Sequence, residues 1–120
     1  MAFLNTTHSA SKIKMLMEES EHQIETYRFL LSGEEELTLH QRLDKLKVQV
    51  PERSHVRLAF SMSEDGWMRG VLEVQNLDQY FEAFAHHDDP IALYEILEAD
   101  VLDQVGRREH ERFDKSATTH

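Results

Sequence analysis

The chain has no cysteine, which removes disulfides, zinc–thiolate centres and thiol catalysis at once. Glycine is scarce, and four in 120 residues leave no room for a phosphate-cradling loop. No apolar run approaches the roughly 20 residues that would span a bilayer. The first residues, MAFLNTTHSASK, lack a charged segment followed by an apolar one, so no secretory signal is expected. Read together, these absences predict a cytoplasmic protein.

What is present fits an ordinary folded domain. A chain with 40% hydrophobic and 30% charged residues is not a disordered one, and 120 residues support a single modest core. The formal charge of −10 is unevenly spread. Residues 64–103 hold eleven acids against one base, Arg69, which equals the whole net charge. Residues 40–63 are +3, from Arg42, Lys45, Lys47, Arg53 and Arg57 less Asp44 and Glu52. Such a field predicts a protein partner with a basic surface and no direct nucleic-acid binding. Solubility alone is the plainer explanation of the same charge.

The clearest structural signal is a β-hairpin over residues 54–75. Val56, Leu58, Phe60 and Met62 alternate with more polar residues, as do Met68, Leu72 and Val74, around the polar turn Ser63-Glu64-Asp65-Gly66. Its second face carries Trp67 and Val71 among charges. Before it, apolar residues at Ile13, Leu16, Met17, Ile24, Tyr27 and Leu31 have helical spacing. A second helix is expected over 34–47, with Ser32 and Glu35 at capping-box spacing and Leu39, Leu43 and Leu46 as its stripe. The short loop between them suggests an N-terminal helical hairpin. Val48-Gln49-Val50 is a possible third, edge strand. Asn76 can cap a short helix over 77–85, and Asp89-Pro90 is a strong start for a long last helix. That helix should end near Gly106 or run on to about Phe113. Loose tails are expected at about 1–10 and 114–120. The expected class is α+β: helical hairpin, antiparallel β-hairpin of two or three strands, short helix, long C-terminal helix.

Candidate chemistry is sparse. His86-His87-Asp88-Asp89 puts imidazoles and carboxylates at an expected helix break, a possible metal site, although a polar linker with a capping aspartate explains it equally. Glu19 and His22 have the Glu-x-x-His spacing used by carboxylate-bridged metal bundles, but the motif occurs once, and Glu36–His40 departs from it by one residue. Ser61 and His55 share a strand face yet stand about 20 Å apart, too far for a nucleophile–base pair. No catalytic residue and no cofactor is predicted.

Trp67, flanked by Arg57 and Arg69 on the less apolar face, has the character of an interface anchor. The competing reading makes it core beneath a terminal helix. Glu95, Glu98 and Asp103, with Asp100, give the last helix an acidic surface for a partner, distributed over more than one face. Apolar stripes in excess of one small sheet, and exposed hairpin edges, predict a homodimer. The function favoured is therefore a small acidic regulatory or adaptor protein that acts by protein–protein binding. Two other readings stand beside it: a DNA mimic that occupies a nucleic-acid-binding protein, and a histidine-based metal sensor or enzyme. Direct nucleic-acid binding through Arg42, Lys45, Lys47, Arg53 and Arg57 is disfavoured by the net charge and by the lack of stacking aromatics in that stretch.

Overall fold

The computed structural model describes residues 20–118, with side chains described to residue 110. The elements run β1 (Glu21–Tyr27), α1 (Gly33–Lys47), β2 (His55–Met62), β3 (Met68–Gln75), β4 (Tyr80–His87) and α2 (Pro90–Thr118). One four-stranded sheet has the order β1-β2-β3-β4. β1 lies parallel to β2, the two joined through α1, while β2–β3 and β3–β4 are antiparallel hairpins.

The hairpin read from alternation is there, in the register Val56↔Val74, Leu58↔Leu72, Phe60↔Gly70. These residues are buried on one face, and strand alternation makes that burial possible. α1 also forms as its sequence requires. The Ser32 hydroxyl accepts from the Glu35 N–H at 3.1 Å and the Glu35 carboxylate accepts from the Ser32 N–H at 2.9 Å. Leu39, Leu43 and Leu46 are fully buried. Asp89 caps α2, its carboxylate accepting from the Ala92 N–H at 2.8 Å. Leu93, Leu97, Val101 and Val105, four residues apart, place one stripe of α2 on the sheet. α2 runs past Gly106 to Thr118.

Two expected helices are strands instead. Residues 21–27, expected inside the first helix, form β1, so the N-terminal helical hairpin is not seen. The helical stripe rested partly on Ile13, Leu16 and Met17, which lie outside the described residues, as does the expected tail at 1–10. Within EHQIETY the true period is two. His22, Ile24 and Thr26 oppose Val56, Leu58 and Phe60, and seven registered pairs along the free edge of β2 outweigh a weak helical pattern. Arg28, at φ 67°, ends the strand.

β4 (Tyr80–His87) takes up most of the segment 77–85 expected as a short helix. Asn76 does not cap a helix. Its side chain accepts from the N–H groups of Asp78 and Gln79, and its own N–H donates to the Gln79 carbonyl at 3.0 Å, which closes the turn between β3 and β4. One side-chain chemistry serves both purposes, and the pairing edge of β3 selects the turn. Phe81 and Ala83 are buried, while Phe84 and Tyr80 face outward. Val48–Val50 is a turn, since β1 occupies the place beside β2 expected for that strand.

Both helices pack on the face bearing Val56, Leu58, Phe60, Leu72 and Val74. At about 1.5–3 kcal/mol for each large side chain removed from water, this interlayer core is the main stabilising term. The two helices are joined by Arg42. Its guanidinium lies 3.4 Å from Glu95 and 3.3 Å from Glu98 and sits 5.7 Å from the centre of the Tyr94 ring.

Candidate functional site

With both helices on one face, no described element covers the other. Parity and register assign it four cross-strand rows: Glu21, His55, Gln75, Tyr80; then Gln23, Arg57, Glu73, Glu82; then Glu25, Ala59, Val71, Phe84; and finally Tyr27, Ser61, Arg69, His86. Trp67 follows the turn glycine, Gly66 (φ 86°), and extends the last row. Its ring stands edge-on to His86, centroids 5.5 Å apart at 89°.

The open face divides in two by chemistry. Toward the Asn76 turn it is an ionic lattice. Arg57 bridges Glu25, at 2.9 Å, and Glu73, at 3.2 Å. The Gln23 amide and the Tyr27 hydroxyl donate to the Glu25 carboxylate. The hydrogen bond from Arg57, aided by that from Tyr27, holds the Glu25 carboxyl below the usual range, and the same contact with Glu25 raises the Arg57 guanidinium further. Tyr80 donates to Glu82, which pushes its phenol up to about 12.

Toward the Gly66 turn the face is apolar and cationic. Phe84 is 67% exposed and Trp67 is 49% exposed, a large departure for side chains of this kind. Beside them a depression of about 430 Å³ is lined by Ser61, Arg69, Val71, Phe84 and His86. Arg69 is exposed and makes no hydrogen bond or salt bridge with the described residues, although, after the hydrogen bond from Ser63, its charge helps to hold the Asp65 carboxyl below the usual range. Trp67 and Arg69 are thus brought together on an open surface, and the reading of Trp67 as core beneath a terminal helix is not met by α1 or α2. Phe84 was not foreseen as a surface group, because its segment read as a helix that would have buried it.

The acidic residues singled out on the last helix are already engaged. Glu95 and Glu98 face Arg42, and Asp103 pairs with Arg107 at 2.9 Å. His86 and His87 are neighbours in a strand, not at a helix break, so alternation sends them to opposite faces. His86 packs on Trp67, and His87 lies 2.9 Å from Asp88. His22 and His40 do meet, Nε2 to Nδ1 at 2.8 Å, between β1 and α1. Among the described residues no group of three or more histidines and carboxylates is arranged to hold a metal ion, and no helix is long and apolar enough to cross a membrane.

No family model matches the sequence, and neither does any curated protein. Solved structures do match the fold. The N-terminal domain of Protein Y from Thermus thermophilus superposes with a TM-score of 0.60 at 12% identity, over 72% of this chain and 97% of that one. A ribosomal subunit interface protein from Coxiella burnetii gives 0.59 at 16% identity, over 75% and 98%.

This likeness corrects the expected partners. The forecast of a protein partner with a basic surface, without direct nucleic-acid contact, conflicts with a fold shared with a ribosomal subunit interface protein, since the ribosome is an RNA–protein particle. Net charge is a global sum, whereas recognition is local, so a charge of −10 does not by itself exclude contact with RNA. Of the two grounds for a homodimer, the exposed edges of the central hairpin are taken up by β1 and β4, which become the edges of the sheet.

Proposed function

We propose that this chain is a small non-catalytic protein that acts by binding the ribosome, in contact with RNA. The observation that supports it most is the match of fold over nearly the full length of two neighbours, one of them described as a ribosomal subunit interface protein. A net charge of −10 opposes indiscriminate RNA binding, so contact would be confined to places where cations are free of salt bridges. Arg69 on the open sheet face, with no salt bridge of its own and Asp65 acting on it from the turn, is one. The end of α1 and the turns after it, with Lys45 and Arg53, are another, in the +3 stretch 40–63, where Lys47 is already paired with Asp44 at 2.9 Å.

The test is co-sedimentation of the purified, untagged protein with ribosomal subunits and assembled ribosomes of its native host, on gradients at low and moderate salt. Migration with one subunit or with the assembled particle is the expected result. A protein that stays at the top of the gradient at every salt concentration overturns the reading.

A further inference from the structure

We infer that the Gly66 end of the open sheet face is a binding site for an unstacked nucleotide of single-stranded RNA. The base would lie on the exposed Phe84 ring, with Trp67 further along the same face beyond His86, and Arg69 would meet its phosphate. The inference takes its ligand class from the proposed ribosome association but stands on separate observations.

Three features converge there. Phe84 offers a flat ring that is 67% exposed in the middle of a sheet, bordered by Val71 in the same row and by the 430 Å³ depression. Flat exposed aromatics on a sheet are stacking platforms for bases, and every base has a face to offer them. Arg69, one row away, is a cation with no hydrogen bond or salt bridge among the described residues and only the Asp65 carboxylate acting on it from the turn, which leaves its guanidinium able to meet a phosphate. Ser61 opposite Arg69, and His86 against Trp67, add hydrogen-bonding groups at the rim.

The same map limits the footprint. Moving from Phe84 toward the Asn76 turn, a strand of RNA meets Glu73 and Glu82, and Glu25 stands at the far end of the Phe84 row. The single cation in that region, Arg57, is already held between Glu25 and Glu73. A polyanion laid along the whole sheet would be repelled over that half, so the site takes one or two nucleotides, as from a loop or bulge. An apolar peptide would use the Phe84 ring but leave Arg69 without a counter-charge, and for that reason RNA is the better occupant.

Trp67 is the chain's single tryptophan, so its fluorescence reports on this site alone. The full-length protein is titrated at low salt with oligouridylate and oligoadenylate of two to twelve nucleotides, and with duplex RNA of equal length. Saturable quenching by single strands is expected, with affinity per strand levelling off beyond about three nucleotides and duplex binding much more weakly. Phe84→Ala and Arg69→Ala should each weaken it about tenfold or more, in line with about 1–3 kcal/mol for one stacked base. Both residues are exposed, so thermal melting should be unchanged. Leu77→Ala, at the far turn, should leave binding intact. Absence of quenching, equal affinity for duplex, or indifference to Phe84→Ala and Arg69→Ala overturns the inference. Running the same variants on the ribosome gradient separates the two claims. Co-sedimentation without oligonucleotide binding removes this site and leaves the ribosome reading. Loss of co-sedimentation in Phe84→Ala, with no oligonucleotide bound by the parent protein, makes the face a protein-docking surface instead.

Discussion

The least expected single contact is the one between His22 and His40. One imidazole must donate and the other accept at 2.8 Å, so the pair is compatible with at most one proton beyond neutrality. The second nitrogen of His22, Nδ1, is buried without a hydrogen-bond partner, and Asp44 at 3.6 Å is too distant to supply one. Burial and then Lys47 push the His22 imidazole down, His40 adds to this, and Asp44 opposes it. Glu36 faces His40 from one turn away at 3.8 Å. The sign follows from linkage. An unfolded imidazole titrates at about 6.5 and the folded one lower, so the unfolded chain takes the proton first as pH falls. Stability should therefore be complete above about pH 7 and decline below about 6.5. Urea midpoints measured from pH 7.5 to 5 should fall less steeply for His22→Gln than for the parent protein. Parallel slopes would remove His22 as the cause.

At the scale of elements, β3 and α2 approach most closely at Gly70. A Cβ built there meets Leu97 Cδ1 at 2.9 Å and Leu93 Cγ and Cδ2 at 3.0 Å. Leu97 has a mobile methyl to move aside, but Leu93 presents its branch point, so relief there takes a rotation of the whole Leu93 side chain or a shift of the helix. Overpacking of this kind typically costs about 1–3 kcal/mol. Gly70→Ala should lower the stability by about that amount in denaturant unfolding, and Gly70→Val by more. Gly66→Ala, by contrast, strains a turn at φ 86° with open space around it, so it tests backbone conformation and not packing. If Gly70→Ala is neutral, α2 is not seated as closely on the sheet as the leucine contacts require.

For the whole molecule, the proposed ribosome association raises the question of how an acidic protein would meet an RNA-rich particle. Eleven acids in residues 64–103 create a long-range repulsion, while the available cations are few and dispersed. Added salt then has two opposed effects: it screens the repulsion and weakens the few phosphate contacts. A protein with a basic footprint of six to ten phosphates loses about 10³–10⁵ in affinity between 50 and 200 mM salt. Here the loss of ribosome affinity over that range should be much smaller, about tenfold or less, as measured by co-sedimentation at graded salt. A steep loss would mean that a larger basic surface makes the contact than the described residues offer.

Local chemistry, written in the sequence, determined the elements that rest on it. The capping box at Ser32 and Glu35, the Asp89-Pro90 start of α2, and the alternation of residues 56–62 and 68–74 each satisfy their own backbone or face within a few residues. The proximity of Trp67 and Arg69 was legible for the same reason, since both lie two residues apart on one strand face. β1 and β4 were not legible. Their segments pattern weakly, and what makes them strands is the unpaired edge on each side of the central hairpin, reached across α1 for β1 and across the Asn76 turn for β4. The tertiary structure alone decided that Phe84 stands in the open beside Arg69, and that Glu95 and Glu98 are spent on Arg42. Side chains from separate elements meet only once the sheet is ordered and both helices have taken the same face.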